Sequence, residues 1–234
     1  MCRVKPHTPS ILDLFFPEPC LLCGLPIVER RVDRSPICDA CRMDLPRPLS
    51  PRCAKCSAEL ISEITLCMRC RERNYAFSSN RSLFRYAGSV RDLLHSYKFE
   101  GVSTVAEFFA AEIAQYYESA RLSQPIVPVP PRPGQPRKSR HVERIARLLG
   151  KHFGIEVTRS LERRDGVAQK TLDYEGRVNN LRDVFSVVDF DAVIGARLLI
   201  LDDVMTTGAT LDECARSLKA AGATDVEAIT IALD

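Results

Sequence analysis

The chain has 234 residues, 45% of them apolar and 27% charged, with a formal net charge of +3. That suits one ordinary domain plus a small one, and the net charge by itself is too small to argue for a nucleic-acid partner. No stretch approaches the ~18 apolar residues of a membrane span. Ile11-Leu12-Asp13-Leu14-Phe15-Phe16 is too short and acid-interrupted for a secretory core, so a cytoplasmic protein is expected.

Residues 1–16 read as a lead, with Pro6, Pro9 and Pro17 breaking regular structure. Residues 17–72 hold four C-x-x-C pairs: Cys20 and Cys23, Cys38 and Cys41, Cys53 and Cys56, Cys67 and Cys70. Two such knuckles complete a four-thiolate tetrahedral site, and the intervening lengths are those of zinc ribbons. Local pairing is the economical arrangement, putting Cys20, Cys23, Cys38 and Cys41 on one zinc and Cys53, Cys56, Cys67 and Cys70 on a second. Cross-braced pairing is the alternative, and iron satisfies the same spacing. Disulfides do not suit a reducing cytosol. Four thiolates leave no open position on the metal, so both sites are expected to be structural, in a segment too small to fold on its apolar core alone. Cys2 and Cys214 have no such partner by spacing and read as terminus and helix packing.

Residues 73–82 read as a linker, and 83–234 as the main domain. Ser82 to Tyr86 has strand character, and a helix follows with Val90, Leu93, Leu94 and Tyr97 on one face. His95 and Lys98, one turn apart, fit a phosphate or base contact as well as a surface pair. A longer helix carries Val105, Ala106, Phe109, Ile113 and Tyr117 inward. Pro125 to Arg132 is a short strand running into a proline-rigid turn. From Arg132 to Arg147 six basic residues face Glu143 alone, a patch that suits phosphate or nucleic acid and equally a solvated helix. Strands are expected at Ile155–Val157 and Val184–Val187, with a polar loop between Arg163 and Asn180 long enough to act as a lid.

The chain then reaches Leu198-Leu199-Ile200-Leu201-Asp202-Asp203-Val204-Met205-Thr206-Thr207-Gly208-Ala209-Thr210. Four aliphatics in a row read as a strand buried on both faces, hence a parallel sheet. The acids read as its end. The hydroxyl-rich turn and the helix starting near Thr210 make an anion site, with Gly208 free to take positive φ. Two carboxylates beside it repel bare phosphate, so their partners are expected to be the hydroxyls of a sugar phosphate, or magnesium. A last strand, Val226–Ile231, completes an α/β pattern whose ligand lies at the carboxyl ends of the strands.

These thirteen residues resemble the phosphoribosyl diphosphate (PRPP) signature of type I phosphoribosyltransferases. The resemblance implies a mostly parallel sheet flanked by helices, with Asp202 and Asp203 on the ribose hydroxyls. It also implies that Thr206, Thr207, Gly208, Ala209 and Thr210 wrap the 5′-phosphate. The chain from 17 to 234 further resembles the competence protein F (ComF) family, bacterial proteins tied to DNA uptake. Tyr86-Ala87-Gly88, Tyr97-Lys98-Phe99-Glu100-Gly101 and Val127-Pro128-Val129-Pro130-Pro131-Arg132 carry that likeness, with Arg163, Gln169, Arg177 and Asn180 in the loop. One departure is Arg137-Lys138-Ser139-Arg140-His141, where the family commonly has a glycine and an aromatic.

The family implies binding of PRPP with Mg²⁺. Pro130, Pro131 and Arg132 would face the pyrophosphate, and Arg163, Gln169 and Arg177 would close over it. It also implies a role in handling single-stranded DNA beside uptake machinery such as a helicase-type partner, with Arg137, Lys138, Arg140 and Arg144 as the nucleic-acid contacts. A phosphoribosyltransferase acting on a base or amine, with no DNA role, is the alternative. Acceptor, turnover and oligomeric state stay open.

Overall fold

Four parallel strands make the central sheet of this computed structural model, which describes residues 17–27, 35–61, 65–117, 122–132, 134, 140–164 and 184–234. The strands β1 (Asn80–Arg85), β2 (Ile126–Pro128), β5 (Arg197–Met205) and β6 (Asp225–Leu233) lie in the order β1-β6-β5-β2. A separate antiparallel pair joins β3 (Leu161–Arg163) to β4 (Phe185–Val187). The all-parallel arrangement follows from the aliphatic runs, which need cover on both faces.

Alternation along β5 divides that cover. Leu199 and Leu201 belong to one apolar cluster, Leu198 and Ile200 to the other. Against the first lie α3 (Gly88–His95), α4 (Thr104–Tyr117) and α5 (His141–Phe153), where Phe84, Phe109 and Ile113 are fully enclosed. Against the second lie α6 (Ala209–Ala220) and the β3–β4 pair. Both clusters continue into the cysteine-rich segment, which adds the short helices α1 (Asp39–Met43) and α2 (Met68–Glu72).

That segment seals the β1 edge of the sheet. The Asn80 N–H donates to the Lys55 carbonyl at 2.7 Å, the Ser82 N–H to Ser57 Oγ at 3.2 Å, and Arg52 donates to the Ser82 carbonyl at 3.1 Å. An edge strand left open offers a template for aggregation, and here the ribbon occupies it. On α4 the buried Glu112 accepts from Arg42 and Arg47, each at 2.6 Å, and pins the first half of the ribbon. The stretch 73–82 is packed accordingly: Tyr75 and Phe77 are buried and stack at 4.9 Å, and β1 starts inside it.

β5 does not end at the acids. It runs on to Met205, with Asp202 opposite Thr230 and Val204 opposite Ala232, because β6 is equally long and keeps supplying ladder partners. Asp202 and Asp203 are therefore the sixth and seventh of its nine residues, inside the strand rather than at its end.

Candidate functional site

The thiols converge in two sets, Cys20, Cys23, Cys38 and Cys41 in one and Cys53, Cys56, Cys67 and Cys70 in the other, with all sulfurs of a set within 4.8 Å of one another. This is local pairing and not cross-bracing. The Cys23–Cys38 and Cys56–Cys67 sulfurs stand 3.8 and 3.6 Å apart, close to the ~3.8 Å edge of a tetrahedron with Zn–S near 2.3 Å. Backbone N–H groups of Cys38 and Cys67 approach Cys20 and Cys53 Sγ at 3.3 and 3.4 Å. Burial first, then the neighbouring sulfurs, pushes the Cys41 and Cys70 thiols up. Four thiolates crowded together need a cation, and the donor set fits structural zinc.

The second site lies where β2 and β5 end. A cavity of about 290 Å³ is lined by Lys98, Val129, Pro130, Pro131, Arg132, Arg140, His141, Val142, Glu143, Arg163, Asp202, Asp203, Val204 and Thr210. Opposite alternation sends the two acids different ways. Asp203 follows the Leu199–Leu201 face, where Lys98 Nζ reaches its Oδ2 at 2.7 Å and His141 Nε2 at 2.5 Å. Burial alone would raise this carboxyl, but the His141 hydrogen bond and the Lys98 ammonium hold it well below the usual range. Asp202 receives the Asp203 N–H at 2.9 Å and is raised, by burial first and by the Asp203 charge second. Adjacent carboxylates divided in this way titrate apart.

Lys98 is delivered by a π-helical turn, Ser96–Glu100, that closes on Gly101 at φ 76°; such insertions re-aim side chains and recur at functional sites. Tyr97, in the same turn, donates to the His141 carbonyl at 2.7 Å and meets its ring edge-on. His141 Nε2 faces the Asp203 carboxylate and donates to it, while Nδ1 is buried without a partner among the described residues. Opposite, Arg163 lies 5.3 Å from the Phe185 ring centroid, and its pKa is lowered by burial and next by the Arg132 charge. Two guanidiniums facing one cavity make an anion site.

The loop after β5 turns through Gly208 at φ 80°, which caps α6. The positive φ favours glycine there, and a Cβ would also crowd Met205 Cε at 2.8 Å and the Tyr75 ring at 3.2 Å.

Of the residues expected from the sequence, Asp202, Asp203, Thr210, Pro130, Pro131, Arg132, Arg163 and Arg140 share this cavity. Thr206, Thr207, Gly208 and Ala209 form the adjoining turn and helix start. Arg144 does not line it and instead approaches Glu107 at 3.6 Å. Gln169, Arg177, Arg137 and Lys138 lie outside the described residues. His141 escaped the sequence reading, since a histidine opening an amphipathic helix carries no signal. Lys98 was legible as a phosphate or base contact or as half of a surface pair, and not as the partner of Asp203.

A family model described as a double zinc ribbon domain matches residues 11–72, and one described as a phosphoribosyl transferase domain matches residues 112–234. The chain is similar to a competence protein ComFC of Streptococcus pneumoniae, 25% identical over 224 residues that cover 91% of this chain and 98% of that protein. It is also similar to a competence protein F of Haemophilus influenzae, 22% identical over 224 residues and covering 91% and 96%. Among solved structures, a glutamine PRPP amidotransferase from B. subtilis, complexed with ADP and GMP, aligns at 21% identity and a TM-score of 0.37 over 53% of this chain. The chain spans 26% of that enzyme's length. No helix among the described residues is long and apolar enough to cross a membrane.

Proposed function

We propose, because this chain belongs to the phosphoribosyl transferase domain family and carries a double zinc ribbon ahead of that domain, that it binds PRPP with magnesium in the cavity at the ends of β2 and β5. One observation carries the reading: two adjacent carboxylates lie in the C-terminal half of β5, ahead of a glycine-turned hydroxyl loop, with Arg132 and Arg163 lining the same cavity. In this reading Asp202 and Asp203 hold the ribose hydroxyls. The Thr206–Thr210 loop takes the 5′-phosphate through backbone N–H groups and hydroxyls at the start of α6. Arg132 and Arg163 face the diphosphate, and Gln169 and Arg177 close over it. A magnesium ion suits these oxygen donors and a substrate diphosphate; when bound it supplies charge neutralisation. Lys98 and His141 balance Asp203 while no ribose is present.

The wider role is the handling of single-stranded DNA in competence, beside a helicase-type partner, with Arg137, Lys138, Arg140 and Arg144 as contacts. Both curated relatives are named competence proteins. Arg140, Arg147 and Arg159 gather on the single carboxylate of Glu143, so three cations and one anion leave two surplus positive charges in that cluster. A second reading, a phosphoribosyltransferase with no DNA role, draws on the same pairings. All three arginines are already engaged by Glu143, and Tyr75 and Phe77 are too buried to stack on bases.

Gel shifts with a single-stranded oligonucleotide separate the two. Binding is expected to weaken as salt rises, and the Arg137→Ala/Lys138→Ala/Arg140→Ala variant is expected to flatten the log–log salt slope by about two units, at ~0.7 per lost phosphate contact. Absence of a shift at low salt would leave the enzyme reading, which pyrophosphate release from PRPP with candidate nitrogen nucleophiles then checks.

A further inference from the structure

The loop between β5 and α6 is held from behind by the ribbon. Arg69, between Cys67 and Cys70 on α2, donates from Nη1 to the Thr206 carbonyl at 2.9 Å. Tyr75 Oη donates to the Thr207 carbonyl at 2.8 Å. The Ala76 N–H donates to Asp212 Oδ1 in the first turn of α6 at 2.6 Å, and Asn80 Nδ2 meets Met205 Sδ at 3.2 Å just before the loop. Four contacts from residues 69–80 therefore fix the loop and both of its ends.

The two carbonyl contacts matter most. In a planar trans peptide the C=O of one residue and the N–H of the next point in opposite directions. Tethering the Thr206 carbonyl to Arg69 turns the Thr207 N–H away from the ribbon. Tethering the Thr207 carbonyl to Tyr75 does the same for the Gly208 N–H. Successive N–H groups presented on one side are what an anion cradle requires. The Tyr75 ring also abuts the site where a Gly208 Cβ would stand, so the loop has no room to relax backwards.

Arg69 is placed by the metal knuckle. Cys67 caps α2, its N–H approaches Cys53 Sγ, and Cys70 lies within the helix. We infer that the second four-cysteine site positions the phosphate loop, with Arg69 and Tyr75 as positioning residues that orient its N–H groups toward a sugar 5′-phosphate. This rests on the PRPP reading above. The second ribbon site thereby sets phosphate affinity without touching the ligand.

The test uses the full chain and two probes in magnesium buffer: ribose 5-phosphate, which needs the loop, and inorganic pyrophosphate, which is assigned to the Arg132 and Arg163 end. In Arg69→Ala/Tyr75→Phe, calorimetry is expected to show ribose 5-phosphate affinity falling roughly tenfold, which corresponds to about 1.4 kcal/mol. Pyrophosphate affinity, zinc content and melting midpoint are expected to hold, and Arg69→Lys is expected to recover part of the Arg69→Ala loss. Tyr75→Phe alone deletes one hydroxyl and keeps the ring on Phe77, so folding does not confound it. Unchanged ribose 5-phosphate affinity, or an equal loss for both probes, overturns the inference while leaving the PRPP reading intact. Wild-type protein that binds no ribose 5-phosphate overturns both.

Discussion

Replacing Asp202 and Asp203 together by asparagine is expected to weaken binding of magnesium PRPP at least about a hundredfold, since each hydrogen bond to a charged group contributes roughly 1.5–3 kcal/mol. The single variants are expected to part company in stability. Asp202 is disfavoured as an anion by burial and by its neighbour, so Asp202→Asn should melt at or slightly above the wild-type temperature. Asp203 neutralises Lys98 and accepts from His141, and Asp203→Asn leaves that ammonium half-buried without its counter-charge. A lower melting temperature is expected for this variant alone. Calorimetry with PRPP and thermal melts of the three variants check both halves; unchanged PRPP affinity in the double variant would falsify the site assignment.

Metal removal is expected to have the largest effect on the fold. Structural zinc sites of this type carry an apparent ~10–16 kcal/mol, comparable with the whole stability of an ordinary domain at about 5–15 kcal/mol. Elemental analysis of the purified chain should return two zinc ions, and Cys53→Ser/Cys56→Ser should return one. Chelation should release more than the ribbon. Asn80, Ser82 and Glu112 would lose their partners across the β1 edge and α4, and circular dichroism should report loss of sheet as well as of the short helices. One zinc or none in the wild type would contradict the assignment.

Local patterns in the chain carried the parts of this structure that depend on local contacts. The first C-x-x-C pair meets the second and the third meets the fourth, each across one short excursion, so spacing favoured the local pairing over cross-bracing. The run Leu198 to Leu201 announced a strand covered on both faces, and Gly208 its turn. What depends on distant partners was not legible. The length of β5 is set by β6, whose register against Asp202 and Val204 no window around the acids reveals. The β4 strand was legible at Val184–Val187, but its partner β3 at Leu161–Arg163 was not, because pairing across a long polar stretch leaves no local signal. Tyr75 and Phe77 lie in a polar-looking segment and are buried only because the ribbon and α6 close over them. His141 becomes a site residue because α5 starts within reach of Asp203. The carboxylate pair could thus be named from sequence, while the groups that neutralise it and brace its loop had to be seen in three dimensions.

The PRPP pocket is tested most directly by calorimetric titration of the intact, zinc-loaded chain with PRPP, in the presence and absence of magnesium. One saturable site per chain is expected, strongly dependent on magnesium and competed by ribose 5-phosphate. Absence of binding with magnesium at millimolar PRPP would contradict it.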